Sequence, residues 1–205
     1  RFVDKLGTTD ELFRRNNEHP IVTGQLAFWL DWHAFDARGC FLQLMVFIAL
    51  AAQVPAFVWL AKQAGLKRPT AWLAGVALAI ILAINGFGNY SSIFQISYVP
   101  GFTLAVWTFA VFAAHARSGS KTTLIISAFL AVVGILSLAS SVFVATMVAM
   151  AGLWLDRRLA AAAFAIVAIG GWAWMLASPS TTAQAGGILS DQIPSIIQYF
   201  IAYFG

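Results

Sequence analysis

The stretch NNEHPIVTGQLAFWLDWHAFD, residues 16–36, gathers side chains able to do chemistry just ahead of a long apolar run: Asn17, Glu18, His19, Asp31, His33 and Asp36. A carboxylate such as Glu18 serves as a general base or a metal ligand. The imidazole of His19 orients a phosphate or ligates the same metal, with Asn17 as a neighbouring substrate contact. Adjacent side chains on an extended segment point apart, so Glu18 and His19 need not share a ligand, and the plain reading of the triplet is a solvated loop. If 24–36 is helical, Phe28, Trp32 and Phe35 share a face and Asp31 and His33 lie away from it. Asp31 is then either part of a polar face in water or a second carboxylate in the wall of a cavity shared with Glu18. A second polar group follows at Asn85-Gly86-Phe87-Gly88-Asn89-Tyr90 and Phe94-Gln95. Asn89, Tyr90 and Gln95 suit recognition of a sugar or phosphate, or else helix capping and interhelical hydrogen bonding. Cys40 has no activating partner beside it and reads as packing.

The elements that must position these residues follow from composition. The chain of 205 residues is 60% hydrophobic and 10% charged, with a mean hydropathy of +0.82. Soluble domains average roughly 45–50% apolar and about 25% charged residues. A lipid solvent accepts apolar side chains on every face of a helix, and water does not. The net charge of +4 does not make a nucleic-acid binder, because the basic residues fall in short clusters between apolar runs. The single cysteine cannot form an internal disulfide and carries no information on compartment. The start at Arg1 and the stop at Gly205 within an apolar run lead us to expect an internal piece of a longer protein.

Residues 1–38 read as an amphipathic segment with interfacial helices, one of them starting at Thr9-Asp10-Glu11. Apolar segments follow at 40–61, 71–86, 97–114, 122–138, 141–155, 159–177 and 192–205. The expected fold is all-α, a polytopic transmembrane bundle of about six to seven spans over residues 39–205. The segments 122–138 and 141–155 read as a hairpin turning at Ser137 to Ser141, which leaves Lys121 and Arg157-Arg158 on one side. Pro55 falls inside a span and predicts a kink. The loops 62–70, 115–121 and 156–158 carry Lys62, Lys67, Arg68, Arg117, Lys121, Arg157 and Arg158, whereas 87–96, 138–141 and 178–191 carry neither Lys nor Arg. The positive-inside rule makes the first set cytoplasmic. Residues 1–38 then lie on the other side, as a ledge at the membrane surface anchored by Phe28, Trp29, Trp32 and Phe35.

These residues resemble a known group. The run NNEHPIVTGQLAFWLD is similar to the asparagine-glutamate-histidine stretch of large bacterial integral-membrane proteins of the GT-C glycosyltransferase type. Asn89 followed by Phe94-Gln95 resembles their asparagine-to-phenylalanine-glutamine pattern. The turn Leu138-Ala139-Ser140-Ser141, then Trp154 and a basic turn, matches their layout. The resemblance covers most of the chain in layout and two short motifs in letters. The chain departs from it at Pro20, where the group usually has an arginine that would grip a phosphate. The resemblance implies an enzyme of the bacterial cytoplasmic membrane that uses a polyprenyl-phosphate-linked sugar and an acceptor hydroxyl. Glu18 and His19 would be catalytic. Asn17, Asp31, Asn89, Tyr90 and Gln95 would contact substrate, and a divalent metal ion held by Glu18 and His19 would steady the leaving phosphate. A first acidic motif is expected upstream of Arg1. Two other classes stay open, a carrier or flippase for a lipid or small molecule and a non-catalytic membrane scaffold. Inverted repeats with broken helices would favour the carrier.

The charge pattern sets a direct test of orientation. In a Cys40→Ser background, an impermeant maleimide applied to intact cells should label Ser92→Cys and spare Ser120→Cys. The reverse pattern would invert the orientation.

Overall fold

The computed structural model describes residues 22–90 and 98–177, with the backbone alone for 81–90 and for 176 and 177. The described residues form seven α-helices: α1 (Val22–Ala34), α2 (Cys40–Gln63), α3 (Arg68–Tyr90), α4 (Tyr98–Ser118), α5 (Lys121–Ser137), α6 (Ser141–Trp154) and α7 (Arg158–Ala177). Three of these elements are long and apolar enough to cross a membrane: α2, α4 and Arg158–Met175 of α7; α5 and α6 are shorter apolar helices. The all-α class is as composition requires, and the expected hairpin is present, with α5 ending at Ser137 and α6 starting at Ser141. The segments 1–21 and 192–205 lie outside the described residues.

Two helix ends differ most: α4 runs to Ser118, past the expected 114, and α3 runs past 86. The sequence reading ends the second apolar run at residue 86 and places Asn85 to Tyr90 in a loop, whereas α3 is helical to Tyr90. Gly86 and Gly88 each cost about 1 kcal/mol in a helix relative to alanine. Leaving backbone groups unpaired beside apolar surface costs more, so the hydrogen-bond ladder continues through them. α2 continues as a 24-residue helix past Pro55, whose ring nitrogen has no N–H to donate, so the ladder lacks one bond there.

Interhelical contacts give the arrangement. Thr103 Oγ1 lies 3.0 Å from the Ala49 carbonyl, and Trp107 Nε1 donates to the Ala52 carbonyl at 2.9 Å. Later residues of α4 meet later residues of α2, so the two helices run parallel and end at one level. α3 returns antiparallel to α2 after the short turn at 64–67, with Gly75 against Val58. The Arg157 guanidinium donates to the Ala116 carbonyl from Nε at 3.0 Å and also from Nη2, so α6 ends where α4 ends. The α5–α6 turn sits at the start of α4, where Leu138 packs on Gly101. The three basic turns therefore share one end of the bundle. The opposite end holds α1, the α5–α6 turn and the starts of α2 and α4. Trp72 and Trp154 stand near the basic end and Trp29, Trp32, Trp172 and Trp174 near the other, while the Trp59 ring reaches inward to Trp107, which lies midway. Two aromatic girdles of this kind mark the interfaces of membrane proteins.

The packing is that of helices in lipid. Large apolar side chains point outward, with Phe47 60% and Ile166 71% exposed. Small residues fill the contacts: Ala131, Ala145, Ala160, Ala161 and Ala168 are all buried. Around them Phe112, Leu124, Ile135, Val142, Val148 and Phe164 form the main apolar cluster. α4 is the central helix, with 44% of its most apolar stretch buried against 22% for α2 and 28% for α7. Polar bridges add to the fit. Gln53 Nε2 donates to Thr103 Oγ1 at 3.1 Å, and Ser127 Oγ donates to the Thr108 carbonyl at 2.8 Å. Such interhelical bonds contribute on average about 0.6 kcal/mol each.

Two glycines measure how close the backbones come. A Cβ on Gly75 would stand 2.5 Å from Val58 Cγ2, and one on Gly152 would stand 2.9 Å from the Ala161 nitrogen. A Cβ on Gly170 would meet nothing within 4 Å. Gly152→Val should therefore destabilise the bundle by about 1–3 kcal/mol through overpacking. Gly170→Ala should be neutral or stabilising by up to about 1 kcal/mol, because alanine is the better helix former. Thermal unfolding in detergent reads both signs.

Candidate functional site

The end of the bundle away from the basic turns is built around Asp31. α1 finishes at Ala34, and the chain reverses into α2 through residues 35–39. The reversal is tight. Asp36, Ala37 and Gly39 take left-handed φ values of 55°, 56° and 71°. For a non-glycine residue this conformation costs roughly 1–2 kcal/mol. What holds it is Asp31. Its backbone carbonyl accepts from the Phe35 and Ala37 nitrogens at 3.0 Å each. Its Oδ2 accepts the Gly39 N–H at 2.9 Å. Gly39 is the N-cap of α2 and has no side chain with which to cap it. A carboxylate reaching the first turn of α2 from α1 satisfies an orphan donor and meets the positive end of the helix dipole. Asp31 is only 3% exposed, and its second oxygen, Oδ1, is buried without a hydrogen-bond partner among the described residues. The Arg38–Asp36 pair at 3.5 Å is exposed and contributes little.

The sequence reading of α1 holds in part. Asp31 does lie away from Trp32 and Phe35, but it faces the bundle and not water. Phe28, three residues before it, shares the side of Asp31 and not that of Trp32 and Phe35, since i,i+3 neighbours are close. Phe28 is half-buried and Asp31 is buried, whereas Trp29, Trp32 and Phe35 are exposed. Polar Asp31 and Gln25 point into the bundle and the aromatics point out, the reverse of a helix lying on a soluble core. His33 does not join Asp31. It stays exposed, its Nδ1 donating to the Trp29 carbonyl at 2.8 Å and its ring lying 4.6 Å from the Trp29 ring. The first turn of α1 is held by Thr23 Oγ1, which donates to Ser137 Oγ at 2.9 Å. Ser137 Oγ donates in turn to the Val133 carbonyl at 2.8 Å.

The remaining candidates are placed as follows. Asn89 and Tyr90 end α3, and because α3 runs antiparallel to α2 they arrive at the same end of the bundle as Asp31. Asn17, Glu18, His19 and Gln95 lie outside the described residues. Among the described residues, no three His, Cys, Asp or Glu side chains come together in a way that would hold a metal ion. Cys40, read as packing, is exposed at the start of α2. Sequence reasoning missed the Gln53–Thr103 pair. The signal was there, since a lone amide in an apolar run has to find its partner inside the bundle. Comparison with protein families, with curated proteins and with solved structures returns no match.

The clamp predicts a graded response. Asp31→Ala should lower stability by about 0.5–2 kcal/mol, the usual cost of losing a cap. Asp31→Asn keeps an acceptor for the Gly39 N–H and should retain most of that stability. Chemical denaturation in mild detergent separates the two variants. Wild-type stability in Asp31→Ala would exclude the clamp.

Proposed function

We propose that this chain is the membrane core of a GT-C type glycosyltransferase of the bacterial cytoplasmic membrane, with the basic turns cytoplasmic and the Asp31 end on the outer side. One observation carries the reading: the bundle is chemically polarised end to end. Lys62, Lys67, Arg68, Arg117, Lys121, Arg157 and Arg158 gather at one end. Asp31, Asp36, Thr23 and the terminus of α3 with Asn89 and Tyr90 gather at the other. Glu18 precedes Val22 by four residues, and four residues reach at most about 14 Å. On the proposed reading the Asn17-Glu18-His19 triplet works at the Asp31 end, where Thr23 meets Ser137. On this reading α2, α4 and α7 cross the membrane fully. α5 and α6 form a shorter crossing hairpin in a bilayer that thins locally, and α3 completes six spans in this part of the chain.

The chemistry then runs at the outer end. A polyprenyl-phosphate sugar lies with its lipid against the apolar outer faces of the helices and its phosphate at the surface. Glu18 takes the proton of the acceptor hydroxyl as that oxygen attacks the anomeric carbon. The bond from this carbon to the phosphate oxygen breaks, and polyprenyl phosphate leaves with the bonding electron pair. Asn17, Asn89, Tyr90 and Gln95 contact the sugar and the phosphate. His19 orients the phosphate. Asp31, spent largely on holding the α1–α2 turn, fixes the ledge from which the triplet projects.

The test is Glu18→Gln in membranes supplied with a polyprenyl-phosphate sugar donor and assayed for release of polyprenyl phosphate. Glutamine keeps the shape and removes the basicity. Turnover should fall a hundredfold or more, about 2.7 kcal/mol of barrier, at unchanged thermal stability. Near wild-type turnover would remove Glu18 from the reaction. Donor crossing the bilayer with no transfer at all would favour a carrier.

A further inference from the structure

At the basic end, α2 and α3 enclose a cleft of about 400 Å³ lined by Pro55, Val58, Trp59, Lys62, Gln63 and Trp72. The α2 residues fall at i, i+3, i+4, i+7 and i+8 and so form one face of that helix. Gly75 seals the cleft towards the middle of the bundle, because there the two helices meet almost backbone to backbone. Buried Val58 makes its apolar floor, with Pro55 exposed at the edge. Trp59 is braced edge-on against Trp107, with ring centroids 5.6 Å apart. Trp72 and Lys62 remain exposed at the rim, with Gln63 beside them.

Charge decides what this cleft would hold. No acidic residue occurs between Asp36 and Asp156. Asp156, the one described carboxylate at the basic end, lies 3.1 Å from Arg158. Among the described residues no ion pair reaches Lys62, Lys67 or Arg68. A lysine at the rim and two more cations in the adjoining turn thus have no counter-ion from the described protein. The volume lies within the range of small-molecule sites, roughly 300–1,000 Å³. Basic pockets between membrane helices at the level of an aromatic girdle are built for phosphate headgroups.

The geometry points to a binding site for an anionic phospholipid in this cleft. Its phosphate pairs with Lys62, its glycerol portion lies between Trp59 and Trp72 within reach of the Gln63 amide, and its acyl chains run over the apolar surface of α2 and α3. The site lies at the opposite end from the proposed transfer chemistry and does not depend on it.

Native mass spectrometry of the purified protein in neutral detergent tests this, with phosphatidylglycerol and phosphatidylcholine of identical acyl chains as probes. Phosphatidylglycerol should be retained at least about tenfold more tightly. Lys62→Gln should weaken that retention by about fivefold, the contribution of one lysine near an anionic headgroup. Lys62→Arg should keep it. Arg158→Gln, which removes a cation already beside Asp156, should leave it unchanged. A photoactivatable phosphatidylglycerol should cross-link within residues 55–72. Equal retention of the two lipids, equal losses in Lys62→Gln and Arg158→Gln, or cross-links confined to other helices would each overturn the site.

Discussion

A helix as apolar on its outer face as on its inner one cannot be packed by hydrophobicity alone. In lipid, burying a leucine gains little, because the solvent is as apolar as the core. Helix contact then depends on fit, on how closely two backbones approach and what they exchange once there. This constraint shapes the whole bundle. Gly75 lets α3 meet Val58 of α2, Gly101 admits Leu138, and Gly152 brings α6 onto Ala161 of α7. Buried alanines extend these contacts, whereas phenylalanine, isoleucine and leucine dominate the outward faces. Once backbones are close, a short hydroxyl can reach a neighbour's carbonyl, as Ser127 does at Thr108. Thr103 shares its hydroxyl between the carbonyls of Ala49 and Val99 while accepting from Gln53.

The same need to satisfy backbone groups governs the two ends. At the basic end, Gly65 and Asp156 take left-handed conformations just beyond α2 and α6. The next residues, Leu66 and Arg157, return their N–H groups to the Ala61 and Gly152 carbonyls. Arg157 then extends its guanidinium to the last turn of α4, where a cation also suits the negative end of the dipole. At the other end the logic has the opposite sign. A buried carboxylate, Asp31, meets the N-terminus of α2. At these two contacts the charge suits the helix terminus it meets, but α3, α5 and α7 begin at the basic end with Arg68, Lys121 and Arg158, so helix dipoles do not set the end-to-end polarity. Among the described residues that polarity arises without an acidic or basic residue in the middle of a helix.

Helix identity was legible in the residues themselves. Runs of apolar residues between basic clusters placed α2 and α4 to α7 within a few residues of their limits, and the serines at 137–141 marked the hairpin. The common side of the three basic turns was also legible, because spans of roughly bilayer length return the chain to the same side at every second turn. These are properties of chain length and solvent, and a sequence carries both.

Which face of each helix turns inward was not legible. Periodicity normally reports it, but a chain that is 60% hydrophobic has apolar residues on all faces, so the stripe that would reveal the core is missing. The direction of Asp31, the pairing of Gln53 with Thr103, the continuation of α3 to Tyr90 and the tryptophan-lysine cleft between α2 and α3 all rest on which surfaces meet. Length and hydropathy determine that these segments are helices and where they turn. Only the tertiary structure decides their faces, because in an apolar solvent that choice belongs to shape and to a handful of buried polar atoms.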